Sequence, residues 1–207
     1  MKSMYIGSGD IKDILKGKHT KGFQNFCRKF FSDEIPYYNS FNSPIDALRT
    51  GAILEEKYFQ MLPDGYYPQY KVSSEEMSVL LATLDFAKIE SGKVVDFDEL
   101  KTCFCTDFLI MQDYKDSEYD EYVSFLKKVS KYKQNYEQVQ HQLYVTGLEE
   151  ANLAYLEVQT YDDEENKKRI ILPDEVIKFR IKRDSEVIEK IKERAAFFQH
   201  IKDYFKN

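Results

Sequence analysis

The sequence predicts an α/β fold in which a central mixed sheet is flanked by helices. Helical segments occupy the first part of the chain, three strand candidates follow in succession, and two further strand candidates lie beyond a polar, helix-prone region. A long amphipathic helix closes the chain. This order of helices, strand meander, helix, two strands and helix is typical of a mixed sheet with helices packed on it.

Size and composition favour one soluble domain spanning residues 1–207. No apolar run approaches the roughly 18–20 residues that a helix needs to cross a bilayer. The segment Met1–Ile11 also lacks the apolar stretch of a secretory signal. We therefore expect an intracellular protein without a membrane partner.

The cysteines and histidines do not form a metal-binding motif. An odd set of cysteines (Cys27, Cys103 and Cys105) is a poor disulfide framework and one short of a four-cysteine iron–sulfur site. We expect reduced thiols. The histidines are scattered and provide no zinc-binding pair.

The formal net charge of −6 does not indicate a nucleic-acid partner, but the charge is uneven along the chain. Residues 1–31 contain seven basic and only two acidic side chains. Because binding depends on the local potential, this stretch is either a DNA-facing surface or a solvated helical surface.

Helical patterns are predicted at Ile11–Leu15 and Gly22–Phe31, and a loop is predicted over Pro36–Pro44. The next helix carries one apolar stripe with helical spacing, formed by Ile45, Leu48, Ala52, Phe59 and Leu62. Glu55 occupies the place in this series where an apolar residue is expected. The pattern therefore predicts that the Glu55 carboxylate faces inward.

The strand candidates, bounded by turn residues, are Tyr66–Val72, Val79–Phe86, Lys93–Lys101, Leu153–Gln159 and Val176–Ile181. Turns are predicted at Lys88–Lys93 and at Asp162–Lys168. The region from Asp116 to Gly147 is helix-prone. The last helix runs from Asp184 to about Phe205, with apolar residues at Ile188, Ile191, Ala195, Phe198 and Phe205.

The strand Lys93–Lys101 carries the residues with the clearest chemical meaning. Side chains alternate between the faces of a strand, so Glu99 and Lys101 point the same way. A hairpin back to Asp85, which interrupts the apolar end of the preceding strand, would bring two carboxylates side by side. Such a pair is costly unless a cation such as Mg²⁺ or Mn²⁺ lies between them. Lys101 would then orient a water molecule or stabilise developing negative charge.

Asp85 followed by Glu99-Leu100-Lys101 matches the PD-(D/E)XK nuclease motif of restriction-endonuclease-like folds. Taken alone, Glu-x-Lys on a strand is also a common solvated ion-pair face. Further blocks, in a workable order, resemble the phage lambda exonuclease and YqaJ-like family of recombination nucleases. They are the stretch from Ile6 to Leu15, Arg49 to Glu55, Thr83 to Asp85, Glu99 to Lys101, Tyr136 to Thr146, and Lys182 to Asp184.

The resemblance implies a role for each matching position. Asp85, Glu99, Glu55 and the Leu100 carbonyl would bind Mg²⁺ or Mn²⁺, and Lys101 would be the catalytic lysine. Gln138 and Gln140 would contact the DNA phosphate or the edge of the metal site. Ser8 and Thr83 would belong to a pocket for a terminal phosphate.

The activity implied is that of an exonuclease degrading one strand of linear double-stranded DNA, in the 5′ to 3′ direction, in phage-type recombination. The family also implies a ring-like homo-oligomer such as a trimer, a single-strand annealing protein as partner, and the cytoplasm of a bacterial or phage-infected cell. Two other functions remain open. One is an endonuclease on the same scaffold, and the other is a catalytically inert DNA-binding module.

Overall fold

A computed structural model describes residues 4–31 and 45–205 of the chain. The predicted loop Pro36–Pro44 lies outside the described residues. The helices are α1 (Ile11–Ile14), α2 (Lys21–Phe31), α3 (Ile45–Met61), α4 (Cys105–Tyr114), α5 (Tyr119–Lys128), α6 (Ser130–Thr146), α7 (Asp163–Lys168) and α8 (Ser185–Tyr204). The strands are β1 (Ile6–Gly7), β2 (Tyr66–Ser73), β3 (Leu80–Glu90), β4 (Lys93–Phe104), β5 (Glu150–Val158) and β6 (Val176–Lys182).

These strands form one mixed sheet, which confirms the predicted fold class. β3 pairs antiparallel with β2 along one edge. Its other edge is shared by β1, which is parallel to it at its start, and by β4, which is antiparallel to it towards its end. β4 continues in parallel beside β5, and β6 adds an antiparallel strand. The parallel pair needs a crossover connection, which α4, α5 and α6 provide.

The β3–β4 hairpin is tighter than the sequence suggested. The strands extend to Glu90 and Lys93, so only Ser91 and Gly92 form the turn, rather than the whole of Lys88–Lys93. Both turn residues have positive φ, 50° and 76° respectively. A two-residue turn of this kind matches the natural twist of the strands it connects.

The sheet separates two hydrophobic cores. The larger core contains Phe97 and Tyr155 from the sheet and buried residues of α1, α2, α6 and α8. The smaller core, which we call the α3 core, is built by Leu54 and Tyr58 of α3 against Phe86 and Leu100. Within residues 4–31 and 45–205, no helix has the length and hydrophobicity to span a membrane.

At Asp85, the two faces of β3 exchange the cores against which they pack. Leu84 belongs to the larger core and Phe86 to the α3 core, although side chains two apart share a face in a regular strand. β2 makes the same change, since Val72 packs against the larger core and Tyr66 against the α3 core. Both changes occur where Gln69 stands opposite Asp85, between the pairs Pro68–Phe86 and Tyr70–Leu84.

The apolar stripe predicted for α3 is correct at Phe59 and Leu62, which pack against the α3 core, and wrong at Leu48 and Ala52. Leu48 is 65% exposed and Ala52 is also exposed, whereas Leu54 and Tyr58 are fully buried. The inward face includes a tyrosine whose hydroxyl donates to Asp98, so a search for purely apolar residues misses it. Glu55 is half-buried beside this face.

Three other expectations are corrected by the structure. Residues 105–114 form α4, which was not predicted, and the charged segment predicted as a turn contains the short helix α7. Phe205 is 58% exposed rather than part of the final apolar stripe. The remaining stripe of α8 is buried as predicted, at Ile188, Ile191, Ala195 and Phe198.

We expect Phe198→Ala to destabilise the protein by about 3–5 kcal/mol, because it removes a buried aromatic ring and leaves a cavity. The Phe198 ring is 1% exposed and its centroid lies 5.0 Å from that of Phe26 and 4.9 Å from that of Phe30. The neighbouring Phe197 is 59% exposed, so Phe197→Ala should cost less than about 1 kcal/mol. Urea denaturation of both variants measures the difference, and equal losses would contradict this packing.

Candidate active site

The candidate site lies where β3 and β4 separate. Their ladder ends at the pair Phe86–Asp98, and from Asp98 onwards β4 pairs with β5 on its other side. Asp85 bridges the opening, because its Oδ2 accepts a hydrogen bond of 3.0 Å from the backbone N–H of Leu100. The Asp85 side chain thus takes the place of a backbone hydrogen bond between β3 and β4 at the first position where the two strands separate.

Helix α6 packs over this opening with two glutamines. Gln142 Nε2 donates to the Thr83 carbonyl of β3 at 3.0 Å and to Glu99 Oε2 of β4, so one amide connects the two separated strands. Gln138, one turn earlier on the same helix face, donates to Glu99 Oε1. The amides of α6 therefore hold both oxygens of one carboxylate.

Glu99 and Lys101 share a strand face, as the alternation predicted. Glu99 is only 1% exposed, and Lys101 Nζ forms an ion pair with its Oε1. A buried carboxylate is tolerated when charge and hydrogen-bond partners replace its water shell. Lys101 keeps a side-chain exposure of 26%, so the ammonium group lies between the buried carboxylate and solvent.

Helix α3 is connected to the neighbouring residue of β4. Asp98 is fully buried on the opposite face from Glu99, and it accepts hydrogen bonds from Tyr58, from Asn152 at 2.7 Å and from Lys178 at 2.8 Å. Glu55 precedes Tyr58 by three residues, nearly one helical turn. The Tyr58–Asp98 bond therefore fixes the part of α3 that carries Glu55 against β4.

The three carboxylates act on one another electrostatically. Burial raises the pKa of Asp85 well above its usual range, and the charges of Glu99 and Glu55 raise it further, against Lys101 and the Leu100 N–H. Burial also raises the pKa of Glu55, with Lys101 opposing and Glu99 adding to the shift. The site is therefore short of positive charge.

Lys101 remains protonated in this environment. Burial alone would lower the pKa of its ammonium group, but Glu99, Asp85 and Glu55 together raise it above the ordinary value. This group is consequently a fixed cation and a hydrogen-bond donor, and it is unsuited to accept a proton.

The donor set can be compared with what a divalent cation requires. Among residues 4–31 and 45–205, no three His, Cys, Asp or Glu side chains lie close enough together to hold a metal ion. Carboxylate oxygens are nevertheless the ligand type that Mg²⁺ and Mn²⁺ prefer, and a cation would offset the burial and the repulsion from Glu99 that together raise the pKa of Asp85. The ligand set of Asp85, Glu99, Glu55 and the Leu100 carbonyl therefore stays a prediction of the family resemblance.

Three further residues that the sequence predicted for the site, Thr83, Ser8 and Gln140, form no side-chain contact with the carboxylates of Asp85, Glu99 or Glu55 among the hydrogen bonds of the residues that the structure describes. Thr83 contributes its backbone carbonyl to Gln142. Ser8 is buried in the short helical turn Ser8–Asp10, which packs against α6, and its hydroxyl has no hydrogen-bond partner among the described residues. Gln140 faces away from Glu99. Its Nε2 donates to the Lys182 carbonyl at 2.9 Å, and its Oε1 accepts from the Asp184 N–H at 2.7 Å. Gln140 therefore stabilises the junction of β6 and α8.

Two site residues were not predicted from the sequence. Gln142 carries a recognisable signal, since it lies four residues after Gln138 and therefore on the same helix face. Gln69 carries none. Its amide Nε2 donates to Asp85 Oδ1 at 3.4 Å, and its backbone has a positive φ of 51°.

Comparisons with known proteins find similarity in structure only. No protein-family model and no curated protein sequence matches the chain. An alkaline exonuclease (LHK-Exo) from Laribacter hongkongensis superposes with a TM-score of 0.61 at 13% identity, covering 99% of this chain and 92% of that one. The same exonuclease in complex with dAMP gives 0.56 at 16% identity over the same shares.

A phage-related exonuclease from Haemophilus somnus 129PT has a TM-score of 0.54 at 14% identity, covering 99% of this chain and 97% of that one. These matches extend over nearly the whole of each chain, and they agree with the resemblance carried by the motif blocks. The chain therefore has the fold of these exonucleases, with a PD-(D/E)XK-like central mixed sheet flanked by helices.

Proposed function

We propose that this protein is a metal-dependent nuclease that hydrolyses phosphodiester bonds of DNA at the opening between β3 and β4. The observation that carries the proposal is the set of Asp85, Glu99, Glu55 and Lys101, which are electrostatically coupled at one end of a split in the sheet. Ionisable groups whose charges interact and whose pKa values are shifted in this way are characteristic of catalytic sites. The exonuclease neighbours support a nuclease.

The proposed mechanism assigns a task to each group. Asp85, Glu99 and Glu55 would provide oxygen ligands for Mg²⁺ or Mn²⁺, which would supply charge neutralisation at the scissile phosphate and activation of a water molecule. Lys101 donates to the phosphate oxygen on which negative charge develops, and its raised pKa keeps it cationic while it does so.

Gln138 and Gln142 serve this chemistry indirectly, because they fix the orientation of the Glu99 carboxylate. Ordered partners of metal-binding carboxylates are typical of such sites, since they reduce the freedom lost on binding.

The preferred substrate is the end of linear double-stranded DNA, with one strand degraded in the 5′ to 3′ direction. This part of the proposal rests on the family resemblance and on neighbours that are described as exonucleases, one of them bound to dAMP. The resemblance further suggests Ser8 and Thr83 near a terminal phosphate, a ring-like homo-oligomer, and a single-strand annealing protein as partner in phage-type recombination in the cytoplasm. An endonuclease on the same scaffold is the alternative.

A comparison of DNA forms tests the exonuclease proposal. We expect linear duplex DNA to be degraded in Mg²⁺, whereas covalently closed circles stay intact, because digestion starts from an end. Gel analysis of end-labelled linear DNA and closed circles measures both, and labels at opposite ends report the direction. Cleavage of the circles at a similar rate would favour the endonuclease.

Two substitutions test the catalytic set. Lys101→Met and Glu99→Gln should each lower the rate of DNA degradation by roughly 100- to 1000-fold, the range for removing a preorganised charge from a reaction centre. Glu90→Gln and Lys93→Met are matched controls, because these exposed residues flank the turn of the same hairpin. Activity retained in both site variants, with melting temperatures like those of the controls, would contradict the proposal.

Asp85→Asn tests the electrostatics of the site. A carboxyl whose pKa is raised by folding destabilises the folded state at any pH above its unfolded pKa, and the penalty grows until pH passes the raised pKa. The amide can still accept from the Leu100 N–H without carrying charge. We therefore expect the metal-free variant to melt at a higher temperature than the native protein at pH 8. Its melting temperature should rise less than that of the native protein when Mn²⁺ is added.

Differential scanning calorimetry with and without MnCl₂ measures both effects. An equal gain from Mn²⁺ in Asp85→Asn and in the native protein would mean that this carboxylate is not a ligand.

A further inference from the structure

Gln69 has a backbone conformation that its residue type does not favour. Its φ of 51° lies in the left-handed region, which non-glycine residues other than Asn and Asp seldom adopt. The only other non-glycine residue with a positive φ in residues 4–31 and 45–205 is Ser91, in the β3–β4 turn. A turn explains the conformation of Ser91, whereas Gln69 lies inside a strand.

The conformation of Gln69 coincides with the change of face described above. β2 and β3 both exchange the core against which they pack at the position where Gln69 stands opposite Asp85. A glycine would accommodate this backbone without strain. The left-handed conformation therefore accounts for the strand geometry but gives no reason for a glutamine side chain.

The side chain of Gln69 contacts the candidate active site. Its Nε2 donates to Asp85 Oδ1 at 3.4 Å, while the Leu100 N–H donates to Oδ2 at 3.0 Å. The two oxygens of the carboxylate are thus held by donors from β2 and β4, the strands on either side of β3. Gln69 is exposed, so it approaches Asp85 from solvent.

We propose that Gln69 is a positioning residue that orients the Asp85 carboxylate for a divalent cation. This inference rests on the proposed nuclease function and extends it to β2. The Leu100 N–H fixes one oxygen of Asp85, and the Gln69 amide limits rotation of the other. Strain in the backbone is retained because the side chain that it carries serves the site.

The test compares Gln69→Gly with Ser91→Gly. Both changes place glycine at a positive φ of about 50°, so both relieve the same kind of backbone strain, but only the first removes a contact with Asp85. Isothermal titration of the full-length, DNA-free protein with MnCl₂ should show binding weakened about tenfold in Gln69→Gly, as for loss of an outer partner of a metal ligand. Ser91→Gly should bind like the native protein.

Kinetics separate positioning from general damage. DNA degradation by Gln69→Gly should need about tenfold more Mn²⁺ for half-maximal rate, with a kcat at saturating Mn²⁺ close to the native value. Its metal-free melting temperature should not fall below that of the native protein. Gln69→Asn, which tolerates the left-handed backbone but has a shorter amide, should show the same shift in Mn²⁺ dependence.

The outcomes distinguish this inference from the nuclease proposal. Native protein that neither binds Mn²⁺ nor degrades DNA overturns both. Native protein that does so, with Gln69→Gly and Gln69→Asn indistinguishable from Ser91→Gly in Mn²⁺ affinity, overturns the role of Gln69 alone. Loss of kcat that saturating Mn²⁺ does not restore also overturns it, because the residue would then act on the reaction itself.

Discussion

The hydrogen bond between the Asp85 carboxylate and the Leu100 N–H is the contact on which the candidate site depends. A sheet that opens between two strands leaves backbone donors and acceptors without partners, and buried groups of this kind are costly. Asp85 satisfies one of the donors, and Gln142 satisfies the Thr83 carbonyl on the other side of the opening. Side chains thus bridge the gap between the two separated strands.

β4 organises the elements on both faces of the sheet through two consecutive buried carboxylates. Asp98 binds Tyr58 of α3 on one face, and Glu99 binds Gln138 and Gln142 of α6 on the other. Each carboxylate would be costly to bury alone, and each is compensated by amide or hydroxyl donors and one lysine. Because the two residues are adjacent, α3 and α6 are brought to the same point of the sheet, which places Glu55 near Glu99.

The sequence was sufficient for the parts of the site that follow from strand periodicity. Alternation along β4 placed Glu99 and Lys101 together, and the hairpin placed Asp85 near them. Sequence analysis failed where the regular alternation of side chains along a strand is interrupted. The change of face at Asp85 and the conformation of Gln69 depend on how two cores meet, which no local pattern encodes. The buried face of α3 was mistaken for a similar reason, since Tyr58 is buried through a hydroxyl bond to Asp98, a residue 40 positions away.

The crossover between the parallel strands β4 and β5 has a consequence for the order in which the site is assembled. Glu99 leaves the ribosome well before Gln138 and Gln142, with α4 and α5 still to follow. A nascent chain that ends before α6 carries the hairpin and its acidic residues but none of the amides that hold Glu99. Gln138 and Gln142 therefore cannot orient Glu99 during early synthesis, and the proposed nuclease activity has to await a contact between segments far apart in the chain.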